Sequence, residues 1–273
     1  MNLAKLRDQP HLSVSSIQDY MDCSLMFKFR RIDKLAPELI SDAQVFGTAV
    51  HATLAEFYEE LKTAGKKMTA KWLQEIFESH WKRLAQNRAD IQYKEGKNYD
   101  TLLLEGKELL SVFHQNLPED EGSIIAIEEP FTFCLDGLPV PIIGVWDLVL
   151  EDMAGVITIV DHKTSSKAYS NSEVDRNFQL TVYHLAAKSN GFLDREILLR
   201  FDCLVKTKVP KLEQYYTTRS EVDEKRVVKK ILAVWDGIQK AVFIPNDESW
   251  KCGGCGYQKA CEEWFAGGEH GQK

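Results

Sequence analysis

The spacing of apolar side chains divides this chain into a helical first half, a strand-rich middle and a helical end. Over 45–62, Val50, Leu54, Phe57, Tyr58 and Leu61 return every three or four residues, the period of one helix face. The same spacing predicts helices over 69–86 (Trp72, Leu73, Ile76, Phe77, Trp81, Leu84) and over 99–117 (Leu102, Leu103, Leu109, Leu110, Phe113, Leu117). The polar stretch between them, NRADIQYKEGKN, reads as an exposed connection. Upstream, Ser16 with Asp19 fits a capping box that opens a short helix. Cys23 and the aromatic-basic run Phe27, Lys28, Phe29, Arg30, Arg31 follow, read as a packed helix end or as a surface for bases and phosphates. Pro37 to Asp42 reads as a loop.

Near 120 the period changes from helix to strand. IIAIEEPFTFCLD and LPVPIIGVWDLVL are rich in β-branched and aromatic residues and meet at the hairpin signal Asp136-Gly137. The breaker EDMAG separates them from a third strand, VITIVDHK. A helix over 172–189 comes next, then the strand REILLRFDCLV. KVPKLEQYYTTR has the marks of an edge strand, with Pro210 near its start and Lys206, Lys208 and Lys211 around it. A last long helix is expected over 221–242. Cys134 and Cys203 read as core positions, and Glu128 as a strand residue facing water in preference to an acid near a metal but not bound to it. Together these predict an α/β protein with a mixed central sheet flanked by helices.

Composition narrows this picture. At 273 residues and 44% hydrophobic, the chain can bury a substantial core. We expect one domain over 1–273: a helical lobe at 12–118, a core at 120–218, and a final helix with a cysteine cluster at 219–268. No apolar run has the length of a membrane span and no signal-peptide pattern opens the chain, so a cytoplasmic protein with no membrane attachment is expected. A net charge of −7 argues against indiscriminate coating of nucleic acid but allows a local basic groove.

Three charged residues interrupt the strand pattern: Asp147, Asp161 and Lys163. Residues two apart on a strand share a face, so Asp161 and Lys163 point the same way. A hairpin centred near Ala154 sets Asp147 across from Asp161. Paired carboxylates repel unless a cation lies between them, and oxygen ligands suit Mg²⁺ or Mn²⁺. A neighbouring lysine can stabilise charge on a phosphate, or orient or deprotonate water. His51 lies beside the stripe of the 45–62 helix, near the small residues Gly47, Ala49 and Ala52. Gln179 and Tyr183 are four apart and share a helix face, where they could bind phosphate or orient water. Near the end, Cys252, Cys255 and Cys261 form C-x2-C-x5-C. Cys23 is the remaining cysteine outside the strands, and four thiolates suit zinc or a 4Fe–4S cluster equally.

In this order and spacing, the motifs resemble the PD-(D/E)XK nuclease superfamily, and within it the RecB/AddB-type iron–sulfur branch that includes the CRISPR-associated exonucleases. LSVSSIQDYMDCSLMFKFRRI is similar to that branch's opening segment, FGTAVHATL to its histidine helix, GVWDLV and VDHKT to its acid and acid-x-lysine motifs, and NFQLTVYHLA to the helix that follows. Trp146 stands where the family's name-giving proline would be, and Asp161 where glutamate is common. The resemblance implies a restriction-endonuclease-like core and a nuclease acting on DNA, as an exonuclease at ends or on single strands, in repair, recombination or DNA processing. It implies Mg²⁺ or Mn²⁺ held by His51, Asp147, Asp161 and the carbonyl of His162. Asp147, Asp161, Lys163, Gln179 and Tyr183 would be the catalytic set. Cys23, Cys252, Cys255 and Cys261 would hold a 4Fe–4S cluster that ties distant chain segments together, with zinc as the alternative. The sequence lacks a phosphate-binding G-x-x-x-x-G-K-[ST] loop, so a helicase, recombination or CRISPR partner would be a separate protein. The rival readings are a non-catalytic DNA-binding or scaffold subunit and a zinc-stabilised binding protein.

Overall fold

The computed structural model describes residues 3–118 and 122–267; the core boundary expected at 120 lies outside them. The chain opens with α1 (Leu3–Arg7), β1 (Leu12–Ser13), α2 (Val14–Asp22) and α3 (Ser24–Phe27). The capping box of α2 pairs Ser13 with Ser16, three residues earlier than the sequence suggested. Asp19 instead binds Arg30 and Arg31. Of the aromatic-basic run, Phe27 and Phe29 are buried, and Lys28 is buried against Asp33.

β2 (Ile40–Ser41) and β3 (Ile91–Gln92) form a small parallel pair, so the segments read as plain loops carry short strands. Around them lie the three long helices α4 (Asp42–Ala64), α5 (Ala70–Ala85) and α6 (Tyr99–Asn116). Ser41, Thr69 and Asn98 cap their starts by accepting backbone N–H bonds, and Gly65 ends α4 in the left-handed region.

The central sheet follows: β4 (Ser123–Phe133), β5 (Ile142–Glu151), β6 (Ile157–Ser165), β7 (Ile197–Val205) and β8 (Lys211–Thr217). β6 and β7 run parallel, while β4–β5, β5–β6 and β7–β8 are antiparallel, so the sheet is mixed as expected. Cys134 lies just past the end of β4 and is exposed, so it is no core residue; Cys203 on β7 is buried. The helix expected over 172–189 is broken into α7 (Asn171–Asp175) and α8 (Phe178–Ala187). The cause is local: Asn177 leaves the helix to accept the Leu180 N–H with its own side chain. α9 (Glu221–Gln239) and α10 (Gln258–Phe265) complete the chain.

Two cores sandwich the sheet. One face carries Ile157, Ile159, Leu199 and Phe201 against Leu180, Val182, Val227 and Ile231. The other carries Leu148, Leu150, Val160 and Leu204 against Phe46, Val50, Leu54, Phe77 and Phe113 of the helical lobe. A third cluster joins Leu25 and Phe29 to Tyr257, Cys255 and Cys261. There the Ser24 hydroxyl donates to the Ile244 carbonyl at 3.2 Å and Glu38 N–H donates to Gly256 at 2.8 Å, so the first and last segments meet.

Candidate active site

β5 has two partners on one edge. β6 pairs with Leu148 to Glu151, whereas β1 pairs with Ile142 and Ile143. Gly144 to Asp147 therefore lie in a fork where neither strand continues the ladder. A close contact between the Gly144 backbone and the Phe131 ring tightens the same region, leaving no room for a Cβ. Across the fork, the N–H of His162 donates to Asp147 Oδ2 at 2.8 Å instead of to a backbone carbonyl.

At this fork the alternation of the strands reverses. Trp146 and Leu148 are two residues apart, yet they lie in opposite cores. On the neighbouring strand Ile127 and Phe131 are also on opposite sides, although they are four apart. Between them Glu128 has a φ of +46°, an uncommon left-handed conformation for a residue other than glycine. The registers Ile127↔Leu148 and Glu129↔Trp146 set Glu128 opposite Asp147. Continuing Leu148↔Val160 by one residue sets Asp147 opposite Asp161, the hairpin register expected from sequence. Three carboxylates thus lie in a row across β4, β5 and β6.

α4 brings His51 to the same point, its Nδ1 3.3 Å from Asp147 Oδ2. The ligand atoms of His51, Glu128 and Asp147 all lie within 4.8 Å of one another, the one such trio found among the described residues. Asp161 is next to it, but its carboxylate turns to Lys163, whose Nζ lies 2.6 Å from Oδ2. Asp161 is 1% exposed, and this ammonium is the cation its carboxylate faces. Lys163 donates to Gln179 Oε1 at 2.9 Å, and Gln179 Nε2 donates to the Tyr183 hydroxyl at 2.8 Å. His162 turns to the helical-lobe side, stacked on Tyr58 with ring centroids 5.7 Å apart. Its side chain takes no part in the carboxylate row.

Crowding of buried charge displaces these groups. Burial, then the charge of Asp161, pushes the Asp147 carboxyl up to about 6 against the opposing pull of His51 and Lys163. Glu128 is pushed up to about 7 by desolvation and by Asp147, although its exposed side chain lets water screen part of that effect. Burial pulls the Lys163 ammonium down, but Asp161 and Asp147 outweigh it and the net displacement is upward. Tyr183 is raised well above the ordinary phenol value, by burial first and then by Asp161 and Asp147. Such a site gathers negative charge and disfavours its own ionisation, which suits a divalent cation with oxygen and imidazole ligands.

Sequence reasoning named His51, Asp147, Asp161, Lys163, Gln179 and Tyr183, and the fold brings these six together. It ranked Glu128 as a water-facing strand residue ahead of an acid near the metal but not bound to it. Glu128 is exposed, and its carboxylate also lies within 4.8 Å of the His51 and Asp147 ligand atoms. The available signal was register: Glu128 and Asp147 are equally far from the midpoint of the β4–β5 hairpin.

The site opens into a cavity of about 1350 Å³ that also reaches Arg30, Arg31, Lys34 and Lys251. Cys23, Cys252, Cys255 and Cys261 line a separate cavity of about 250 Å³. Burial raises the thiols of Cys252, Cys255 and Cys261, and neighbouring cysteines raise them further.

The sequence profile of the PD-(D/E)XK nuclease superfamily matches residues 11–262. The Gene 69 protein of Mycobacterium phage L5 is 25% identical over an alignment of 303 residues, covering 92% of this chain and 96% of the phage protein. Among solved structures, the chain is similar to a candidate exonuclease from Eubacterium rectale, with a TM-score of 0.53 at 9% identity. That likeness covers 92% of this chain and 90% of the other, and it concerns the fold alone. No helix among the described residues is long and apolar enough to cross a membrane.

Proposed function

Because the chain belongs to the PD-(D/E)XK nuclease superfamily, we propose that it is a deoxyribonuclease dependent on Mg²⁺ or Mn²⁺ that cuts DNA at ends or along single strands. The observation that carries this reading is the convergence of the His51, Glu128 and Asp147 ligand atoms within 4.8 Å of one another, beside the Asp161–Lys163 pair. Carboxylates crowded in this way repel one another unless a cation lies between them. His51, Glu128, Asp147 and Asp161 would hold the ion, with the His162 carbonyl as a further oxygen. When bound, it would lower the pKa of a water and neutralise charge on the phosphate.

The other side chains orient. The upward displacement keeps Lys163 a cation at neutral pH, so it acts as a donor to water or phosphate rather than as a base. Gln179 holds that ammonium through its carbonyl, which fixes which way the amide turns, and its NH2 then donates to the Tyr183 hydroxyl. Arg30, Arg31, Lys34 and Lys251 give the cleft the positive lining that a polyanion requires. This reading places the enzyme in the cytoplasm, in repair, recombination or DNA processing, with any helicase or CRISPR partner supplied as a separate protein.

For the cysteine cavity we favour a 4Fe–4S cluster over zinc. The four thiols line one cavity, and the resemblance of the C-x2-C-x5-C tail and Cys23 to the iron–sulfur branch favours the cluster. Its role here would be to clasp the first and last segments.

The test is digestion of end-labelled DNA with Mn²⁺ or with EDTA, by wild type and by Lys163→Ala. Wild type should cut only with metal, and the variant should lose about 10²-fold or more while staying folded. Undiminished cleavage by the variant would remove Lys163 from the mechanism. Metal-independent binding without cutting would make the protein a DNA-binding subunit instead.

A further inference from the structure

Trp250 is the one exposed residue among the six tryptophans; the other five are buried or half-buried. Its 87% exposure leaves a large flat apolar ring open to solvent. The backbone that carries it is held in place. Ser249 N–H donates to Asn246 at 3.2 Å and Cys252 N–H donates to Ser249 at 2.9 Å, which closes a turn around it. Asn246 Nδ2 in turn donates to the Asp22 carbonyl at 2.8 Å, which anchors that turn to the first segment.

The adjacent residue, Lys251, lines the same cavity as Asp147 and Lys163. Its ammonium is 2.6 Å from Asp22 Oδ2 and 5.9 Å from the Trp250 ring centre. The lining of that cavity contains six lysine and arginine side chains (Arg7, Arg30, Arg31, Lys34, Lys163, Lys251) against two carboxylates, Asp19 and Asp147. Lys163 faces Asp161 and Lys251 faces Asp22, yet basic side chains still outnumber acids along this groove on a chain whose net charge is −7. A basic track that ends beside an exposed indole on an anchored turn has the two parts of a single-strand site: charge for the backbone and a flat apolar face for a base.

We propose that Trp250 is a stacking platform for one unpaired base, and that the groove takes single-stranded DNA as its substrate class. The identity of the polymer rests on the nuclease reading above. The preference for an unpaired strand rests on the ring itself, because duplex bases are already stacked on their neighbours and cannot offer a free face.

The test uses the full chain with a short labelled oligodeoxythymidylate, the same strand carrying one abasic position walked along its length, and a duplex. Binding is measured in EDTA, so stacking is read whether or not the strand is cut. Trp250→Ala should weaken single-strand binding on the order of tenfold, Trp250→Phe should weaken it less, and duplex binding should not change. One abasic position should weaken wild type by a similar factor and leave Trp250→Ala unaffected. Equal single-strand affinity in wild type and Trp250→Ala, or an equal loss on duplex, would overturn the proposal. Cleavage in Mn²⁺ runs in parallel. Stacking without cutting would sink the nuclease reading alone, and cutting without the stacking signature would sink this inference alone.

Discussion

Replacing Asp147 with asparagine should make the metal-free protein more stable while removing its activity. Asp147 is 9% exposed, and its carboxyl is displaced from the ordinary aspartate value of 3.8 to about 6. The folded protein then binds more protons than the unfolded chain between about pH 4 and 6, so stability falls as pH rises through that window. At ~1.36 kcal/mol per unit, the penalty at pH 8 is at most about 3 kcal/mol, and near pH 4 it is absent. Asparagine abolishes the charge, yet its carbonyl can still accept the His162 N–H. Urea unfolding in EDTA should therefore show Asp147→Asn more stable than wild type by about 1–3 kcal/mol at pH 8, with little difference near pH 4. Adding Mn²⁺ should reverse the order, because the ion stabilises the wild-type site by mass action. A variant less stable than wild type at pH 8 without metal, or a difference independent of pH, would refute the assignment of Asp147 as a strained, metal-requiring acid.

Glu128→Gln should leave the fold intact, since the side chain is exposed, and should weaken Mn²⁺ binding about tenfold or more by calorimetry; unchanged affinity would place Glu128 outside the metal site. Protein purified without oxygen should absorb near about 400 nm, and Cys23→Ala should lose that band and become sensitive to protease after α9; a colourless protein with stoichiometric zinc would reverse the choice of cofactor.

The parts of the fold with strong periodicity were legible in the sequence. The stripes of α4, α5 and α6 put the same apolar faces in the core that their spacing indicated, and the EDMAG breaker placed the β5–β6 hairpin in register. The illegible parts are those where a local hydrogen bond or kink overrides the period. Asn177 interrupts what looks like one helix from 172 to 189 because its side chain competes for a backbone donor. Ser13 rather than Ser16 caps α2, since either serine satisfies the same short pattern. Glu128 was ranked as a water-facing residue over an acid near the metal for a deeper reason. Reading a strand assumes that side chains alternate, and alternation reverses on both β4 and β5 at the site itself. The fork between β1, β5 and β6 that opens the cleft is likewise a tertiary feature with no local sequence mark.

The claim on which the rest depends is that one divalent ion is shared by side chains from α4, β4, β5 and β6. Anomalous diffraction from crystals containing Mn²⁺ tests it directly. The account predicts a manganese peak within about 2.1–2.2 Å of His51 and Asp147 donor atoms, with oxygens of Glu128 or Asp161 completing the site. A protein that holds manganese elsewhere, or leaves these four side chains without it at saturating concentration, would contradict the account.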